Sequence, residues 1–256
     1  MVTLARKTLL ALGLPAALFA LWWFASAGST SFYFPPLSAI TAEFAETWTP
    51  ERWRDDVLPS VARLAAGYTA SAAAGIALGV LIGRTRWLFH LTEPVLEFAR
   101  AVPPPVLVPV IMLFAGIGDG MKTAVIVSGC VWPILLNTVA GVRSVEPVQL
   151  DTAAAFRLGR NRTLLAVVLP GASPRIVTGM RQALAIGVIL MVVSEMFAAQ
   201  SGLGFAIVQF QRSYAIPAMW SGILLLGCLG AALAALFTVF DRAVLHWHHR
   251  QRAEEV

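Results

Sequence analysis

The chain has 256 residues, of which 58% are hydrophobic and only 13% charged, where a soluble domain is about half apolar and about a quarter charged. With a mean hydropathy of +0.74 it carries too little charge to cover a solvated surface, which excludes an ordinary water-soluble domain. The net charge of +5 comes from basic residues scattered between apolar runs, with no basic patch interleaved with aromatics, which argues against a nucleic-acid partner.

Six apolar runs follow one another along the chain: Leu9–Ala27, Val61–Gly83, Val102–Gly118, Met121–Val142, Ile176–Ala198 and Trp220–Val244. A membrane helix needs about 20 apolar residues to cross about 30 Å of hydrocarbon. The pattern therefore predicts an all-α polytopic membrane protein with six transmembrane helices. Residues 1–60 read as a membrane helix and external loop, 61–245 as the membrane core, and 246–256 as a tail. The first run has the charged start Arg6-Lys7 and a small-residue site at Ala25-Ser26-Ala27, features of a cleaved signal. Its length and the Trp22-Trp23 pair favour a retained anchor.

In the second run, Gly67, Ser71, Gly75, Gly79 and Gly83 recur every fourth position, a small-residue stripe that lets another backbone approach closely. The third run is interrupted by Pro103, Pro104, Pro105 and Pro109. Either these prolines break a span beside a transport path, or they mark the membrane surface ahead of a helix. Cys130 and Cys228 lie in apolar runs, far apart and without ligand-spaced neighbours, and read as small core residues.

Lys and Arg place both termini on the cytoplasmic side. The inner loops then hold Arg84, Arg86, Arg100, Arg143, Arg157, Arg160, Arg162 and Arg175, and the tail holds Arg242, Arg250 and Arg252. The long first outer loop is acidic, with Glu43, Glu46, Glu51, Asp55 and Asp56. His246, His248 and His249 fall in the basic tail, where a solvated segment is favoured over a metal site.

The inner loop between the fourth and fifth runs carries a helix start at Glu146-Pro147. Leu150, Ala154 and Leu158 then fall on one face, with Asp151 and Arg157 beside them. Gly159 supplies a stop, Leu169-Pro170-Gly171 a second break, and Ser173-Pro174 a start for the fifth span. A surface helix with an apolar stripe needs a partner: its own protein, another protein, or anionic lipid through Arg157, Arg160 and Arg162.

This loop resembles that of the permease subunits of ABC importers, whose signature is Glu-Ala-Ala, a Gly after three further residues, then Ile-x-Leu-Pro. Counted back without gaps from Leu169-Pro170, Asp151 takes the Glu position and Ala153 the second Ala. Val167 takes the Ile position, while Thr152 replaces the first Ala and Arg157 stands at the signature Gly. Four further stretches are similar to the nitrate/sulfonate/taurine permeases: Arg100-Ala101-Val102-Pro103-Pro104, Phe114 to Asp119, Pro133 to Thr138, and Ser194-Glu195-Met196 with Ser201-Gly202-Leu203-Gly204. Together they cover roughly Val61 to the C-terminus.

The resemblance implies the type I ABC importer transmembrane fold in the bacterial inner membrane, usually as a homodimer. Two cytoplasmic ATPase subunits would grip the coupling helix through Leu150, Asp151, Ala154, Arg157, Leu158 and Gly159, and an external binding protein would deliver a small solute. No cofactor is expected in this chain; ATP and Mg would sit on the partner ATPase. A P-loop needs Gly-Lys-Ser/Thr, and the only lysines, Lys7 and Lys122, follow Arg6 and Met121.

Pathway or gate candidates are Pro103, Pro104, Pro105, Asn137, Thr138, Ser194 and Glu195, with Ser128, Thr178 and Gln182 also polar within spans. Glu195 is the one acidic residue well inside a run, and Lys122 and Arg212 are the nearest cations by topology. An ion-coupled secondary transporter often carries more membrane-embedded carboxylates. An intramembrane enzyme needs a catalytic pair or cluster, and the four histidines lie at membrane edges or in the tail.

Overall fold

The computed structural model describes residues 2–197 and 199–247, with side chains from residue 13 onward. Among the described residues the regular structure is entirely helical. The helices are α1 (Val2–Ser26), α2 (Leu37–Thr47), α3 (Pro50–Arg84), α4 (Arg86–Ala101), α5 (Pro104–Ala115), α6 (Asp119–Arg143), α7 (Pro147–Ala155), α8 (Arg160–Met196), α9 (Leu203–Arg212) and α10 (Ile216–Val244).

Four of these, α3, α6, α8 and α10, are long and apolar enough to cross a membrane. The pair α4 and α5 qualifies as one span bent by 86°. The third apolar run is therefore only the second limb of a broken span that begins at Arg86. Val102 is extended (φ −73°, ψ 120°), as expected of a residue before proline. Pro104 and Pro105 then open the tight 3₁₀ turn that begins α5, where missing N–H groups cost nothing. The first run falls in α1, a helix of 25 residues.

The expected break at Leu169-Pro170-Gly171 is absent, and Ser173-Pro174 starts no new helix: α8 runs unbroken through both. The reason is a π-turn at Leu164–Val168 immediately before Leu169-Pro170. Its wider hydrogen-bond ring accommodates a residue with no N–H to donate. The same device recurs in α3, where a π-turn at Trp53–Val57 precedes Leu58-Pro59.

At the centre, α6 lies between α3 and α8. The small-residue stripe of α3 is used inside the subunit, against α6. A Cβ on Gly67, Gly75, Gly79 or Gly83 would come within 2.7, 2.9, 2.6 and 2.9 Å of Ile126, Ile134, Thr138 and Val142 respectively. On the other side, Gly179 of α8 sits against Pro133 and Asn137, and Gly141 of α6 against Ala172. Here backbones approach because side chains are missing, as dispersion packing between membrane helices favours.

The segment before α3 is folded onto this core. Leu37, Ile40 and Trp48 are buried, and Trp48 Nε1 donates to Ser221 Oγ of α10 at 3.1 Å. Of the two cysteines, Cys130 is buried and its thiol faces the Ala183 carbonyl at 3.2 Å. Cys228, expected in the core, lies exposed on α10, the most open of the long helices.

Candidate functional site

Two regions at opposite ends of the bundle hold the residues of interest. The first is α7, displayed where α6 ends and α8 begins. Pro147 occupies its first turn behind an extended Glu146, the arrangement proline favours. The helix is shorter than the periodicity predicts, because it ends at Ala155. Arg157 takes a left-handed conformation (φ 52°). The Leu158 N–H then bonds to the Ala153 carbonyl at 2.9 Å and the Arg157 N–H to the Ala154 carbonyl at 2.8 Å. This paired closure is the Schellman motif, whose left-handed residue is usually glycine.

The stop is thus Arg157 rather than Gly159, which is extended and leads into α8. Leu158 falls beyond the helix and is half-buried, so Leu150, Ala154 and Leu158 do not form one helical stripe. Ala153 turns inward and is buried. The large apolar side chains facing outward are Val148 (70% exposed), Leu150 (40%) and Phe156 (78%). Asp151 and Arg157 are exposed beside them.

The second region lies at the far end, where α3 and α6 begin and α8 ends. Glu195 is 1% exposed and Arg63 6%, and Arg63 Nη1 donates to Glu195 Oε1 at 2.7 Å. The Ser60 hydroxyl donates to the same carboxylate at 2.7 Å and accepts the Leu203 N–H at 2.9 Å. The Gly204 N–H supplies a third bond to Glu195, at 3.0 Å.

Arg63 spends its other donors on Asp119 Oδ1 at 2.8 Å, the Ser201 carbonyl at 3.1 Å and Ser201 Oγ at 2.9 Å. Asp56 accepts the Gly202 N–H at 3.1 Å and Arg52 at 3.3 Å. The buried Lys122 ammonium lies 3.6 Å from Asp119. Three cations therefore face three carboxylates, the balance that makes buried charge tolerable. Among the described residues no buried side-chain polar atom lacks a partner.

Gly202 explains how the turn after α8 fits. Its φ is 121°, and a Cβ there would run into the Glu195 carboxylate, so glycine answers both backbone and space. Of the two cations expected near Glu195, Lys122 joins the network only through Asp119, and Arg212 is exposed. The direct partner, Arg63, was missed by sequence reasoning. Its signal was an arginine two residues into an apolar run, which in a membrane demands a partner.

The remaining sequence candidates are not brought together. Thr138 is fully buried against Gly79, its hydroxyl bonded to the Ile134 carbonyl at 2.7 Å. Ser194 is equally buried and bonds to Met191 O. Asn137 is partly exposed, donating to the Pro133 carbonyl at 2.8 Å and Gln182 Oε1 at 3.2 Å. Pro103 and Pro105 are exposed at the α4–α5 bend, while Pro104 touches the face of Gly129.

With this geometry in hand, the likenesses to other proteins are informative. The profile described as "Binding-protein-dependent transport system inner membrane component" matches residues 75–246. The taurine transport system permease protein TauC of Escherichia coli (strain K12) is 27% identical over 252 residues, covering 96% of this chain and 92% of that one. The nitrate import permease protein NrtB of Leptolyngbya laminosa is 32% identical over 182 residues, covering 70% and 64%. The putative aliphatic sulfonates transport permease protein SsuC of Bacillus subtilis (strain 168) is 26% identical over 190 residues, covering 74% and 69%. Among solved structures, an inward-facing form of the MetNI methionine ABC transporter shares the fold, with a TM-score of 0.66 at 20% identity over 77% of this chain and 99% of that one.

Proposed function

Because the chain belongs to the family of binding-protein-dependent transport system inner membrane components, we infer that it is the permease subunit of an ATP-driven importer for a small anion, with taurine, other sulfonates and nitrate as candidates. The observation that carries this is the family match across residues 75–246, which takes in α7 and, at the far end, Asp119, Lys122 and Glu195 but not Arg63. The names of the relatives support the substrate class. The Lys and Arg distribution supports both termini on the cytoplasmic side, which puts α7 inside and the Arg63–Glu195 network outside.

In this reading α7 is the contact for a separate ATPase subunit, which supplies ATP and Mg chemistry, while a solute-binding protein delivers cargo from outside. Val148, Leu150 and Phe156 seat in a groove on the ATPase, and Asp151 and Arg157 fix orientation more than affinity. Because α7 joins α6 directly to the unbroken α8, a push on α7 reaches two of the central helices at once. A second copy of the chain completes the pathway. Glu195, sealed from solvent by its three bonds, acts as a tie between α3, α8 and α9 rather than as a surface for an anion.

Reconstitution in proteoliposomes with its ATPase and binding protein tests the reading. Uptake of labelled taurine, an alkyl sulfonate or nitrate should require ATP and all three components. Uptake by the permease alone, driven by an ion gradient, would overturn it.

A further inference from the structure

We propose that the groove between α8 and α10 is a phospholipid site, with Arg181 holding the lipid phosphate and an acyl chain lying over Leu184, Leu233 and Phe237. Two adjoining hollows of about 380 and 410 Å³ share these three residues. The first has Arg181 at its edge, and the second is walled on its far side by Tyr68 of α3. Apart from Thr69 in the second, the hollows are otherwise apolar.

The level of the groove identifies its occupant. Arg181 Nη2 donates to Asp241 Oδ2 at 2.7 Å, and Asp241 stands in the last turn of α10. The exposed Arg242 and His246 follow, the basic ending typical of a helix leaving hydrocarbon. Arg181 therefore sits at headgroup depth in the leaflet on the α7 side, and the hollows extend from it into the hydrocarbon. Basic residues at pockets between membrane helices are suited to lipid headgroups. Asp241 and the Phe237 ring, 5.5 Å from the guanidinium carbon, hold Arg181 in place. Its side chain is still 51% exposed and keeps donors for a phosphate.

The glycines make the same point. On α3 they bring helices into contact, whereas a Cβ on Gly230 of α10 would meet nothing within 4 Å. Among the described residues no helix closes the groove there: α1 meets α10 through Trp22 and Trp220, at the opposite end of α10. Charge at one end and apolar walls above it fit one leg and the phosphate of a membrane lipid.

Native mass spectrometry of the full chain, released from membranes in detergent and titrated with phosphatidylglycerol, tests this. The wild type should retain one lipid tightly, ahead of diacylglycerol with the same chains, and inorganic phosphate at equal concentration should not compete. Arg181→Gln should weaken phosphatidylglycerol at least tenfold and leave diacylglycerol unchanged, with Arg181→Lys between. Gly230→Phe, which fills the groove, should weaken both lipids. Equal retention of phosphatidylglycerol by the wild type and Arg181→Gln overturns the proposal, whatever the groove variant does. So does displacement of the lipid by inorganic phosphate, or a groove filled by a second copy of the chain.

Discussion

The two ends of the bundle are built on opposite principles. At one end, Arg63, Glu195, Asp119, Asp56 and Lys122 are drawn together from three helices and a turn, and nearly every donor is matched. At the other, α7 stands off the core with Val148 and Phe156 open to solvent. A buried ion network is weak evidence of net stability, but removing one member of it is costly. An exposed apolar helix adds little to the fold and is available for a partner. The difference separates the part that keeps α3, α6 and α8 in register from the part proposed to receive force.

Removing Arg63 should break the comparison most severely. Arg63→Met leaves Glu195 buried without its cation and should cost about 3–5 kcal/mol, read as a lower unfolding midpoint and reduced yield of inserted protein. Pairing it with Glu195→Leu should cost less than either change alone, since no orphaned charge remains. If Arg63→Met folds as well as the wild type, the network does not hold the bundle.

The glycine stripe ranks next. Gly79→Val pushes side-chain atoms into Thr138, already 2.6 Å from an ideal Cβ, and overpacking of that kind costs about 1–3 kcal/mol. Gly230→Ala, beside open space, should be neutral or stabilising by up to about 1 kcal/mol through helix propensity. Thermal unfolding of both variants in one detergent checks the contrast.

Arg157→Gly should have the smallest effect. A left-handed non-glycine residue carries about 1–2 kcal/mol of strain, partly offset by the greater entropy glycine loses on folding. The variant should match or slightly exceed wild-type stability and should still bind the ATPase. Loss of ATPase binding would show that the Arg157 side chain, and not only the turn, makes the contact.

How much of this was legible in the sequence follows from the range of the interactions. The small-residue stripe and the helix start at Pro147 rest on local spacing, and both appear where the pattern puts them. Glu195 stood out because an acid in an apolar run is conspicuous. Its partner did not, because Arg63 lies 132 positions away, and only the packing of α3 on α8 joins them. Prolines misled. Pro170 read as a break and Pro174 as a helix start, but the helix runs through both; a π-turn absorbs the first, and no local pattern announces a π-turn. At Arg157 the sequence offered Gly159 as the natural stop, yet the helix closes two residues earlier on a residue that dislikes the conformation. The ungapped comparison with the permease signature had placed the signature glycine at that same position. The earlier closure moves the exposed anchor from Leu158 to Phe156, which the helical stripe left out.

The central claim is that α7 is the docking helix for a separate ATPase, with Phe156 as its main anchor. The direct measurement is co-purification of the ATPase with tagged permease, wild type against Phe156→Asp, alongside the unfolding midpoint of each permease. A truncated anchor of this kind typically costs about 2 kcal/mol or more of binding, so the ATPase should be lost roughly 30-fold while the midpoint stays unchanged. Undiminished ATPase recovery with Phe156→Asp, together with normal ATP-driven uptake, would contradict the account and leave α7 as a helix lying on the lipid surface.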